Sequence, residues 1–114
     1  MIAHRNGMKV ELKEKMRGGE GTTTIVNFVD PAGMKNSRLL SEVTLPVGAS
    51  IGEHRHDNET EYYIILEGTG TVLDGGKPVP VVPGDVVVTG NGDSHSIANT
   101  GKAPLKFHAF IVTY

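Results

Sequence analysis

The sequence predicts an all-β fold, a barrel or a sandwich. Three observations carry this: short runs rich in β-branched and aromatic residues, turn-forming residues between them, and no long helical period. The runs are Val10 to Met16 as a short edge strand, Thr22 to Val29, Arg38 to Leu45, Gly52 to His56, Thr60 to Glu67, Ser94 to Asn99 and Leu105 to Val112. Breakers stand where turns are needed: Gly18-Gly19-Glu20-Gly21, Asp30-Pro31-Ala32-Gly33, Pro46-Val47-Gly48, Asp74-Gly75-Gly76, Pro83-Gly84-Asp85 and Gly90-Asn91-Gly92. The last run is apolar enough to be buried on both faces. The first glycine cluster lacks the Lys and Ser or Thr of a phosphate-binding loop and precedes no helix, so it reads as a turn or flexible joint. Gly68-Thr69-Gly70 reads as a hairpin or corner between strands.

A chain of 114 residues is one domain's worth, able to bury its own core and too short for a second domain with a separate function. Residues 1–37 are expected to form N-terminal strands or an arm that packs on, or exchanges with, a core at 38–114. The balance of 11 basic against 13 acidic residues, net −2, with no basic block, argues against a nucleic-acid partner. There is no cysteine, hence no disulfide framework, thiolate ligand or thiol nucleophile. Met1 to Gly7 lacks the apolar stretch of a signal peptide, and no run of about 18 apolar residues occurs. The expectation is a cytoplasmic protein with no membrane partner.

The chemistry lies in spacing. Side chains two apart on a strand share a face, so His54 and His56 reach the same side while Glu53 and Arg55 point the other way. After a turn through Asp57 and Asn58, the run from Thr60 returns beside the first and brings Glu61 toward the two histidines. His95 heads another strand-like run and can supply a fourth donor from across a sheet. Three imidazoles and one carboxylate suit a divalent transition metal, Mn, Fe, Co, Ni, Cu or Zn, and suit Ca poorly. Four protein donors on a six-coordinate ion leave about two positions open for a small-molecule ligand.

Alternation sorts the neighbours. Tyr63 and Ile65 share parity with Glu61 and should line the interior, where Tyr63 either touches a substrate or fills the core. Asn99, of the same parity as His95, is expected to satisfy backbone groups at a strand end. His108 shares a face with Phe110 and Val112, opposite Phe107, Ala109 and Ile111, and either face could be inside. It is a candidate pocket residue beside Tyr63, against the alternative of an ordinary packed histidine.

These residues carry a resemblance: the chain is similar to a small single-domain cupin. The family's first motif, G(x)5HxH(x)3-4E(x)6G, matches Gly48, His54, His56, Glu61 and Gly68 in full. The second, G(x)5PxG(x)2H(x)3N, matches Gly84, Gly92, His95 and Asn99, with Gly90 where the family usually has proline, a departure expected to loosen that turn. The resemblance covers roughly Arg38 to Val112. It implies His54, His56, Glu61 and His95 as metal ligands and a six- to eight-stranded antiparallel jelly-roll barrel, the double-stranded β-helix. It also implies one divalent transition metal per chain, Mn or Fe first, and by analogy a homodimer.

The chemistry that follows is that of a metal-dependent oxidoreductase or lyase, a dioxygenase or decarboxylase acting on a small polar organic molecule. The alternatives are a non-catalytic metal- or ligand-binding barrel serving as sensor or partner subunit, and a metal-dependent sugar isomerase. An oxalate decarboxylase would want an arginine facing inward and a mobile acid. Arg38 and Glu42 share a strand and a parity, without a sign of which way they face.

Overall fold

The structure, a computed structural model, describes residues 1–114. It consists of ten strands: β1 (Lys9–Glu14), β2 (Thr22–Asn27), β3 (Ser37–Leu45), β4 (Ser50–Arg55), β5 (Glu59–Glu67), β6 (Gly70–Asp74), β7 (Lys77–Val81), β8 (Val86–Gly90), β9 (Ser94–Ala98) and β10 (Leu105–Thr113). Helix is limited to three short 3-10 turns, Arg5–Gly7, Met16–Gly18 and Pro31–Gly33, and no helix is long and apolar enough to cross a membrane. All pairings are antiparallel. The strands form a six-stranded sheet in the order β1-β2-β3-β10-β5-β8 and a four-stranded sheet in the order β4-β9-β6-β7.

Eight of the strands, β3 to β10, fall in the span that the family resemblance covers, within the six to eight it implied, and β1 and β2 precede it. Three strands, β6, β7 and β8, were not among the strand runs picked out in the sequence. Pro78 and Pro80 interrupt the strand signal of β7, and the structure places that strand at the free edge of its sheet, where a missing N–H is tolerated.

Alternation builds the core. Val43 and Leu45 of β3, Tyr63 and Ile65 of β5, and Leu105, Phe107 and Ala109 of β10 turn inward from the larger sheet. Ile51, Val72, Val81 and Ile97 meet them from the smaller one, and one apolar cluster of 13 buried residues joins the two sheets. The last strand is not buried on both faces as expected. Leu105, Phe107, Ala109 and Ile111 are buried, while His108, Phe110 and Val112 stay half-exposed on the outside. Residues 1–37 contribute β1 and β2, which extend the larger sheet beyond β3.

The Gly18–Gly21 region takes the first of its two expected forms, a turn, and the turn is clasped. Lys15 N donates to the Gly21 carbonyl (2.9 Å), Ser50 N to the Glu20 carbonyl (2.8 Å) and Glu20 N to Ser50 Oγ (2.9 Å). Gly90 ends β8, buried, and a Cβ there would stand 2.3 Å from Thr60 Oγ1 and 2.8 Å from the Glu59 carbonyl oxygen. The turn after it is tied down by Gly92 N donating to the His56 carbonyl (2.8 Å) and His56 N donating to the Asp93 carbonyl (3.0 Å). Glycine at 90 therefore answers a shortage of space, and the turn is not loosened.

Candidate metal centre

His54, His56, Glu61 and His95 converge as their spacing suggested, but by a different route. β5 does not return beside β4: it crosses into the larger sheet, so Glu61 meets the histidines from the opposite layer. His95, expected from across a sheet, lies on β9 directly beside β4, where it is the cross-strand partner of His54. The β4–β9 register slips between Ile51 and His54, an irregularity of the kind that re-aims side chains next to functional sites.

The four donor atoms all lie within 4.8 Å of one another. His95 Nε2 stands 3.0 Å from both His54 Nε2 and His56 Nε2. Glu61 Oε1 is 3.0 Å from His56 Nε2, 3.0 Å from His95 Nε2 and 3.8 Å from His54 Nε2. His56, Glu61 and His95 are buried and His54 nearly so.

The opposite side of each ring explains why these nitrogens face each other. His54 Nδ1 is 2.8 Å from the Gly52 carbonyl oxygen, and His56 Nδ1 is hydrogen-bonded to the Glu59 carboxylate. Both partners can only accept, so Nδ1 carries the proton and Nε2 presents a lone pair inward. His95 Nδ1 is 2.8 Å from the buried Thr89 hydroxyl. Glu59 is itself held by Arg38, whose Nε and Nη2 each lie 2.7 Å from a carboxylate oxygen.

The inward lone pairs of His54 and His56 stand 3.8 and 3.0 Å from the Glu61 carboxylate, an arrangement that a cation between them would stabilise. Glu61 Oε1 is buried and has no aligned hydrogen bond, an orphan that a bound ion would satisfy. Burial alone would raise the Glu61 pKa, yet the facing His54, His56 and His95 outweigh it and hold the carboxyl well below the ordinary range.

Tyr63, one of the two weak pocket candidates, lines the interior. Its ring stacks on His95 at a centroid distance of 4.9 Å, and its hydroxyl is 3.4 Å from His95 Nε2. Burial, reinforced by the Glu61 charge, pushes its pKa well above the ordinary value, so it remains a protonated donor beside the cluster. His108, the other candidate, stands on the opposite face of β10, against Phe28 and 3.6 Å from Glu42. β10 runs between β3 and β5 with its Phe107 face inward, which turns His108 away. Arg55 also points away and pairs with Asp57 at 2.8 Å. Asn99 ties off its strand end, with Nδ2 donating to the Leu45 and Ala103 carbonyls at 2.8 and 2.9 Å and Oδ1 accepting from Gly101 N at 3.0 Å.

A cavity of about 510 Å³ opens over His54, His56, Glu61 and Tyr63. A larger recess of about 820 Å³, beside the N-terminal segment at His4, Phe28 and Pro31, holds no such donor cluster.

Residues 41–113 match the family model described as "Cupin domain". The chain belongs to the cupin family. Among cupins, it is 41% identical over 113 residues to a Thermotoga maritima protein named "Oxalate-binding protein", covering 98% of this chain and 93% of the relative. The crystal structure of a predicted oxalate decarboxylase, also from Thermotoga maritima, superposes with a TM-score of 0.93 at 39% identity, over the whole of both chains. A polyketide cyclase from Streptomyces resistomycificus shares the cupin fold alone, with a TM-score of 0.78 at 20% identity, over 99% of this chain and 78% of that one. Glu59 and Thr89 were not recognised as part of the cupin site from sequence, and Arg38, raised there with Glu42 without a facing, lines the cavity while Glu42 pairs with Arg5 and His108. No spacing rule marks residues that act through a histidine's far nitrogen.

Proposed function

We propose that His54, His56, Glu61 and His95 bind one divalent transition metal, Mn or Fe, and that the protein is a metal-dependent enzyme acting on a small carboxylic acid of the oxalate type. A decarboxylase reaction is favoured over a dioxygenase reaction. The observation that carries the reading is the convergence of four donors, with contacts of 3.0 to 3.8 Å, three of which, His54, His56 and Glu61, line a cavity. The names of the two Thermotoga maritima relatives support the substrate class.

A bound divalent ion supplies Lewis-acid polarisation of a coordinated oxygen anion. The chain's own residues do the rest. Gly52, Glu59 and Thr89 hold the rings in place, and Ile25, Leu39 and Ile51 give the cavity apolar walls that exclude water and strengthen electrostatic contacts. Tyr63 presents a proton at its hydroxyl for a ligand oxygen or for Glu61.

Metal-loaded protein should release carbon dioxide from oxalate, or consume oxygen with a member of a small-acid and catechol panel, and His54→Ala should do neither. Elemental analysis of protein purified without added metal identifies the ion. The relative's description as a binding protein favours a second reading, a non-catalytic oxalate-type binder. Tight reversible binding of oxalate without carbon dioxide release would select it.

The two sheets are taken as the halves of a jelly-roll barrel. Residues 1–37 are taken to pack on, or exchange between, the 38–114 cores of a homodimer. Light scattering, with and without residues 1–37, tests the assembly.

A further inference from the structure

Outside the metal cluster, the cavity lining carries an excess of cations that the metal reading leaves unused: Lys13, Lys15, Arg17 and Arg38 against Glu11 and Glu14. Arg38 is committed to Glu59 through two 2.7 Å contacts, whereas Arg17 enters none of the side-chain ion pairs of the protein.

Arg17 is exposed, and its backbone is held in place. Lys15 and Arg17 both adopt left-handed conformations, at φ 48° and 55°, which non-glycine residues take up at a cost and which cluster at ligand sites. The turn around them is closed by Gly18 N donating to the Lys15 carbonyl and Gly19 N to the Met16 carbonyl, both at 2.9 Å. It also lies directly on β4. A Cβ at Gly52 would stand 2.1 Å from the Arg17 carbonyl oxygen, and a Cβ at Gly19 would stand 2.2 Å from that of Ser50. Gly52 is the residue whose own carbonyl orients His54. The turn that carries Arg17 is thus seated on the strand that aims a metal ligand. Apolar Met16, Ile25 and Ile51 also line the cavity.

A ligand fitted to this cavity has a metal-binding oxygen at one end and a negative charge at the other. We propose that Arg17 is the anion anchor of the site, receiving the outer carboxylate oxygens of a small dicarboxylate whose inner oxygens face His54, His56, Glu61 and His95. The fork of a guanidinium matches a carboxylate in two parallel hydrogen bonds. The inference rests on the metal-site reading above.

Calorimetric titration of Mn(II)-loaded protein separates the two. The probes are oxalate and acetohydroxamate, a bidentate metal ligand without a second carboxylate. Arg17→Gln should weaken oxalate about tenfold or more and leave acetohydroxamate within about twofold. Arg17→Gly, favoured by the left-handed backbone, should lose oxalate equally while melting no lower than the parent protein. Equal oxalate affinity in the parent and Arg17→Gln overturns the anchor and leaves the metal site standing. A parent that binds acetohydroxamate but not oxalate overturns the dicarboxylate class. A parent that binds neither overturns the metal-site reading itself.

Discussion

Glu59 accepts a hydrogen bond from His56 Nδ1 and thereby fixes the direction in which His56 Nε2 points. Arg38 lowers the Glu59 pKa to about 2 against the opposing effect of burial, with His56 contributing further, so this acceptor is ionised throughout the working range. Glu59→Gln should weaken metal binding by about 10–100-fold without unfolding the protein. Competition against a fluorescent chelator measures it, and an unchanged affinity would remove Glu59 from the site.

Metal binding should depend on pH through the histidines. The neighbouring Glu61 carboxylate raises the His56 pKa, burial opposes this, and Glu59 adds to it. Protons therefore compete with the ion as pH falls, and metal content should drop below about pH 6, near the unperturbed histidine value of about 6.5. Full retention at pH 4 would contradict the three-histidine assignment.

Asn99 should matter for stability and not for metal. It is 3% exposed and serves three backbone groups. Asn99→Ala leaves the Leu45 carbonyl without this donor and should cost about 1–3 kcal/mol in urea unfolding. A loss under about 0.5 kcal/mol would show that water replaces the side chain.

Gly90→Ala should destabilise by about 1–3 kcal/mol, because the added methyl meets Thr60 and the backbone of Glu59. Since Glu59 orients His56, metal affinity should fall with it. Gly90→Pro, which restores the usual family pattern, should destabilise as well. A raised melting temperature for either variant would refute the crowding argument.

Arg5 and Glu42 should make stability depend on acid. Arg5 Nη2 lies 2.8 Å from Glu42 Oε1 and lowers the Glu42 pKa against a smaller effect of burial, with further help from Lys106 and His108. A depressed carboxyl contributes stability that is present above its unfolded pKa and lost as pH falls through the folded value. The stability gap between the parent protein and Arg5→Gln should therefore be constant above about pH 5 and close in more acid solution. A gap that widens toward low pH would reverse the sign.

The cluster was legible because its members obey a period of two on strands whose turn signals are strong. Partner strands were less so. Nothing local to Glu61 says that β5 crosses to the other sheet, and nothing local to His95 says that it sits beside His54, because both follow from non-local pairing. The facing of His108 depended in the same way on β10 lying between β3 and β5. β6 to β8 went unmarked because prolines and glycines break their apolar runs. Glu59 and Thr89 appeared only when the chain closed around the rings.

The two prolines of β7 also decide where the molecule cannot grow. Pro78 and Pro80 are cross-strand partners of Leu73 and Thr71 on β6. Two alternate positions without an N–H keep a ladder only when those positions would have donated outward. The outer rim of the smaller sheet thus offers a foreign strand no donors along its middle, which guards that edge against end-to-end polymerisation through main-chain hydrogen bonds.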